Sequence, residues 1–214
     1  MRRLIHLMLS PSCRLARLMV AEKRVACDQA MAEDPRACLP VFVEMDGTRC
    51  EGVWAILDHL EYHYPDRPLA PEDAEERRTC LRWLDWAMGP LHEHVTQRIL
   101  YEKANHRFTG APARRGPDMN AIRQGREELK LAMAEIGKAV EQSGNLAARA
   151  PSLGDFAVAA HLSALDYFGE VPWEAFPAVT EWYVRLKSRP SFRSLLSDRV
   201  PGQPPVAHYA ELDY

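Results

Sequence analysis

No stretch of this 214-residue chain reaches the ~18 apolar residues of a membrane span, so no spanning segment is expected. The chain also lacks a basic excess. Its formal net charge of −3 gives no electrostatic case for nucleic acid, which usually needs a concentrated basic face. Metal-ligand spacing is missing among the five cysteines, Cys13, Cys27, Cys38, Cys50 and Cys80. Their odd number reads as free thiols in a reducing compartment, and the expected location is the cytoplasm. The start, "MRRLIHLMLSPSC", has two arginines and a short apolar run like a leader. The run stops at Ser10-Pro11 and basic residues resume at Arg14, so no adequate leader core exists. There is no internal repeat and no low-complexity tract. What is present is ordinary globular composition, with 47% hydrophobic and 27% charged residues, enough to bury a core in one large domain or two small ones.

Leu4 to Leu9 read as a strand stopped by Pro11. "CRLARLMVAEKRV" places Leu15, Leu18, Met19 and Val25 near helical spacing with arginines and lysines between them, an amphipathic helix. In "LPVFVEMDGTRCEG", Val41 to Val43 suit a strand and Asp46-Gly47 is a strong hairpin signal. "VWAILDHLEYHY" follows as a helix, with Trp54, Ile56, Leu57, Leu60 and Tyr64 available to a core, and Pro65 ends it. Prolines at 65, 68 and 71 mark a linker, and everything beyond it is helical in pattern. Leu81, Leu84, Met88, Leu91, Val95 and Ile99 predict one long helix; Ile122, Leu129, Met133, Ile136 and Val140 predict another. The basic stretch at Arg107 and Arg114 to Gly116 between them reads as a solvated loop. "SLGDFAVAAHLSALDYFG" is nearly all apolar, which marks a helix buried on most sides, and Ser152 and Asp155 have the spacing of a capping box. A shorter helix runs to Pro190, and "SFRSLLSD" adds a turn or two before a proline-rich arm.

An α/β unit, a proline linker and an all-helical remainder resemble the glutathione S-transferase fold, and four motifs in order carry that resemblance. "LSPSCRLARLMVAEKRV" is similar to the family's first strand-loop-helix, and "LPVFVEMDG" to its loop with a cis-proline, a place taken by Pro40. "CEGVWAILDHLEYHYPD" resembles its "E-S-x-A-I-x-x-Y-L" helix, and "PSLGDFAVAAHLSALDY" its capped core helix. The resemblance implies an α/β thioredoxin-like N-terminal domain over residues 1–70, an all-α C-terminal domain over 71–200, and an added arm at 201–214.

The family's chemistry would fall on Ser10, at the start of the first helix, with Cys13 in the less reactive seat of a redox-type motif. A helix N-terminus favours a thiolate there. The alternative is that Ser10 or Ser12 caps the helix while Cys13 packs as a small hydrophobe, and this second reading is preferred here. The resemblance places a degenerate glutathione site at Pro40, Glu51 and Gly52, where Gly52 lacks the hydroxyl that would hold the glutamyl carboxylate but keeps its amide. No cofactor is therefore expected, glutathione being the alternative. No metal is expected either: His92 and His94 at i and i+2 face different sides of a helix, and His59 and His63 at i and i+4 lack a third ligand.

The ending, "RPSFRSLLSDRVPG" running into "QPPVAHYAELDY", resembles one branch of this fold: the FtsZ-binding, transferase-like division proteins of alphaproteobacteria. That likeness implies a cytoplasmic homodimer acting at the division site. It would bind FtsZ polymer, and other division proteins, and support constriction without relying on catalysis. A glutathione-dependent transferase or thiol reductase is the rival reading. Prolines 201, 204 and 205 lower the cost of ordering the arm. Its His208, Tyr209, Leu212, Asp213 and Tyr214 are the candidate partner contacts, with stapling of the chain end to the core as the plainer role.

Overall fold

Strand β1 (Arg3–His6) ends just ahead of helix α1 (Pro11–Glu22), whose first residue is the proline. Proline suits that position because the amide it lacks would have no partner inside the helix. The computed structural model describes residues 1–112 and 116–211. After α1 the chain forms β2 (Asp28–Met31) parallel to β1. It then forms the antiparallel pair β3 (Val41–Val43) and β4 (Arg49–Glu51), closed through Asp46-Gly47. The sheet order is β2-β1-β3-β4, and helix α2 (Gly52–His63) follows β4. Leu4 pairs with Phe42 across β1 and β3, and both side chains are fully buried. The Leu39–Pro40 peptide ahead of β3 is cis, in the place the family likeness gives it.

One strand leaves no sequence signal, and one reading of α2 needs correction. Strand β2 has no alternating apolar pattern; it lies at the sheet edge, mostly exposed, and is held by backbone pairing with β1. Trp54 is turned outward at 46% exposure, while Val53, Ile56, Leu57 and Leu60 make the buried side of α2. Helix α1 departs further from its pattern. Arg14 and Arg17, the polar positions of its apparent amphipathic face, are as buried as its leucines because the helical domain covers that face.

The predicted long helix is three segments run together. Helix α3 (Ala74–Trp86) starts at Asp73, whose carboxylate accepts the amides of Glu75 and Glu76. A π-helical stretch (Ala87–Thr96) carries Pro90 inside it, and α4 (Gln97–Lys103) completes the run. Proline cannot donate to the carbonyl one turn back, and a wider turn is one way a helix passes through it. Helix α5 (Met119–Ser143) ends at Gly144, whose φ of 80° is the left-handed cap that glycine adopts without penalty. Every residue of α6 (Leu153–Asp166) is buried, as its composition predicts. Gly154 lets α6 lie close to α3: an added Cβ would lie 2.9 Å from the Cys80 carbonyl. Helices α7 (Pro177–Lys187) and α8 (Arg193–Leu196) lead into the arm. The arm is not wholly extended, since Ala207–Ala210 close a single 3-10 turn.

Asp155 secures the start of α6. Its Oδ2 accepts the Ser152 amide at 2.9 Å and the Ser152 hydroxyl at 3.0 Å, forming the predicted box. Its Oδ1 accepts the Leu146 amide and the Trp182 indole N–H, both at 2.9 Å. Burial pushes the Asp155 carboxyl above its usual range, against these four donors. Removing it leaves buried donors unpaired, each costing ~1–3 kcal/mol. Asp155→Ala is therefore expected to lower unfolding free energy by ~3 kcal/mol or more in urea titrations, and Ser152→Ala by only ~1 kcal/mol. Equal losses in the two variants would show that the carboxylate holds nothing beyond the helix cap.

Candidate functional site

Ser10 precedes α1 with extended backbone, φ −71° and ψ 121°, and its hydroxyl caps no amide. Its Oγ lies 2.9 Å from Ser12 Oγ, and the residue is 8% exposed. Cys13, one turn into the helix, is fully buried, and burial pushes its thiol above the usual range. This is the opposite of a reactive cysteine, which needs exposure and a lowered pKa. At the end of β4, the Gly52 amide donates to the Pro40 carbonyl at 2.7 Å. That amide is committed to the sheet, so the expectation that it remains open to a carboxylate fails. Gly52 also has a φ of 83°, a conformation strained for any residue with a Cβ. Restoring a serine at that position would strain the backbone before it could hold a ligand. Glu51 is exposed and reaches Arg49 at 3.4 Å.

The arm comes back to α1 at Tyr209. Arg14 donates through Nε to the Met8 carbonyl at 2.8 Å and through Nη1 to Ser163 Oγ and Tyr209 Oη, each at 2.9 Å. Its Nη2 reaches Asp198 Oδ2 at 3.1 Å. Arg17 grips the same carboxylate through two nitrogens at 2.8 and 2.9 Å, and the Ser194 carbonyl at 2.6 Å. Tyr209 is fully buried and donates its hydroxyl to the Leu195 carbonyl at 2.9 Å. Burial pushes its phenol above the ordinary range, so it stays a neutral donor. Two guanidiniums facing one carboxylate leave excess positive charge. Nearby His6 is held down to about 4, by burial first and by Arg17 second.

Comparison with known proteins sorts these features. No family model matches the sequence. The chain is 40% identical over 228 residues to FtsZ-localized protein A of Caulobacter vibrioides, covering 100% of this chain and 98% of that one. It belongs to the FzlA family. The solved structure of FzlA from C. crescentus superposes with a TM-score of 0.92 at 38% identity, covering 100% of this chain and 99% of that one. A glutathione S-transferase from Rhodospirillum rubrum F11 matches equally well in shape, with a TM-score of 0.92, 35% identity and full coverage of both chains. The glutathione S-transferase fold, with its thioredoxin-like sheet and helical second part, is thereby shown for this FzlA homologue.

The remaining candidates of this FzlA relative fall in different places. His208 is on the arm with its side chain 40% exposed. Leu212, Asp213 and Tyr214 lie outside the described residues, as do Arg114 and Arg115. Tyr209 cannot be a surface contact, because it is interior. His59 is not on a solvated face: its Nε2 lies 3.2 Å from Glu44 Oε2, which also accepts the Tyr64 hydroxyl at 2.6 Å. His92 sits in the π-helical stretch beside Tyr101 and His161, and burial lowers its pKa. Among the described residues no three His, Cys, Asp or Glu side chains converge as metal ligands, and no helix is long and apolar enough to cross a membrane. Sequence reasoning missed Arg14, Arg17 and Asp198 as a set. Their one available signal was two arginines spaced on a helix that the second domain has to cover.

Two outcomes follow for this site. Removing the charge with Asp198→Asn leaves two buried guanidiniums without their counter-ion, and is expected to cost ~3–5 kcal/mol in chemical denaturation. A loss below ~1 kcal/mol would place those guanidiniums in water. In the native protein at pH 7.5, a maleimide is expected to label exposed Cys38 and to reach Cys13 only in denaturant. Fast native labelling of Cys13 would restore the thiol-chemistry reading.

Proposed function

We propose that this protein is an FtsZ-binding division protein, acting as a cytoplasmic homodimer at the division site and supporting constriction without transferase chemistry. The observation that carries this reading is the full-length likeness to FtsZ-localized protein A. The local geometry agrees: a buried Cys13, a hydroxyl at Ser10 turned to Ser12, and a Gly52 amide already engaged. In this reading the units 1–70 and 71–200 form a scaffold and the arm 201–214 carries recognition. Tyr209 does not touch the partner; it fixes where the chain emerges. His208, Leu212, Asp213 and Tyr214 remain the contact candidates. Exposed Trp54 and Tyr62 on α2 supply apolar surface that a second copy would cover. The second reading, a glutathione-dependent transferase or reductase, draws on the equal likeness to the Rhodospirillum rubrum transferase and on the cis Leu39–Pro40 bond.

Because Tyr209 is interior, deleting the arm would confound recognition with stability, so a charge reversal is the cleaner probe. Wild type is expected to co-pellet with FtsZ polymer and to pass through immobilised glutathione. Asp213→Lys is expected to lose most co-pelleting with its stability changed by no more than ~0.5 kcal/mol. Glutathione retention with conjugation of a standard electrophile, and no co-pelleting, would establish the enzyme reading instead. Co-pelleting unchanged in Asp213→Lys would move the contact surface off the arm tip.

A further inference from the structure

In the helical domain, an open cavity of about 670 Å³ lies between segment 171–177, helix α7 and the arm. Its volume is within the ~300–1,000 Å³ typical of ligand pockets. Val171, Pro172 and the Trp173 ring form its apolar side, and His208 of the arm contributes another wall. Trp173 is held rigidly. Its indole N–H donates to Asp166 Oδ1 at 2.8 Å, and its ring stacks on Tyr183 with centroids 4.5 Å apart and planes 20° from parallel. His208 Nε2 approaches the same Asp166 oxygen at 3.3 Å. A wall fixed in advance spares an incoming group the entropy of ordering it.

The rim has one sign of charge. Glu174 and Glu181 both line the cavity and are exposed, and neither has an ion-pair partner among the described residues. Among the described residues no lysine or arginine lines the cavity. The nearest buried cation, Lys187, is engaged by Asp166 at 4.0 Å and by the His208 carbonyl at 3.4 Å. An apolar hollow under two unpaired carboxylates fits a large apolar side chain flanked by positive charge, and would repel the same anchor flanked by acids. We propose that this cavity docks a protein partner through a peptide segment that inserts an aromatic or large aliphatic side chain beside Trp173, with lysine or arginine neighbours meeting Glu174 and Glu181. The site is complete only while the arm is seated, because His208 comes one residue before the anchored Tyr209. The inference is independent of whether FtsZ is a partner.

Calorimetric titration of the full chain with acetyl-Gly-Lys-Trp-Lys-Gly-amide, beside its Glu-Trp-Glu counterpart, tests it. The lysine peptide is expected to bind saturably, at least ~10-fold tighter than the acidic one, a ratio worth ~1.4 kcal/mol. Binding should shift the Trp173 indole N–H resonance. The double variant Glu174→Lys with Glu181→Lys is expected to reduce lysine-peptide affinity ~10-fold with an unchanged melting temperature, since both side chains are exposed. Equal affinity for the two peptides, no saturation by 1 mM, or an unaffected double variant would each overturn the proposal. So would binding seen only after removal of residues 212–214, which would make the chain's own tip the occupant.

Discussion

The Asp198 carboxylate, shared between the Arg14 and Arg17 guanidiniums, is the interaction on which the rest of the molecule depends. It joins the first helix of the thioredoxin-like part to the last helical turns, and through Tyr209 it fixes the arm. Desolvating three charged groups is expensive, and their mutual attraction alone seldom repays it. Here the remaining donors are also used: Met8, Ser163, Ser194 and Tyr209 take up most of the guanidinium nitrogens. The Arg14 guanidinium also lies 5.9 Å from the Tyr209 ring centroid. A hydrophobic substitute would give comparable stability but would not specify one seat for the arm. The charged cluster thus links the position of the chain end to the position of α1.

That link bears on what happened to the transferase-like site. The helix that would present a nucleophile is the helix whose next turn is gripped by Asp198. Cys13 lies beside Arg14 in the interior, and both are fully buried. Gly52, with its left-handed φ and an amide spent on Pro40, closes the hairpin against α2 instead of opening it to a ligand. A fold shared with enzymes is thus built here with a buried Cys13 and a Gly52 amide engaged by the Pro40 carbonyl.

Much of the fold was legible because its elements obey simple periodicities. The apolar spacing in α5, the uninterrupted apolar run of α6 and the Asp46-Gly47 turn each predicted the structure found. Three features escaped for separate reasons. Strand β2 is held by backbone bonds at an edge, which leave little mark on side-chain pattern. The π-helical stretch keeps apolar residues on its inner face, so its altered winding is hidden, with Gly89-Pro90 as the sole hint. Arg14 and Arg17 looked like the wet face of an amphipathic helix because periodicity reports polarity, not what a distant segment later covers. Around the candidate site, the cis peptide at Pro40 and the capping pair were legible. Tyr209 was picked out for its place in the arm, but whether a tyrosine faces inward depends on a partner 195 positions away in the chain.

The separation between Arg17 and Asp198 has a kinetic side. The two are 181 residues apart, so a ribosome adding ~5–20 residues per second makes the carboxylate roughly 10–35 s after the guanidinium. Throughout that interval α1 carries two cations with no counter-charge, and its polar face has nowhere dry to go. The sheet and its first helix can form early, but the final closure must wait for the distal segment. A nascent chain stalled before residue 198 would therefore hold an N-terminal helix whose two arginines still lack the contact that seats the arm.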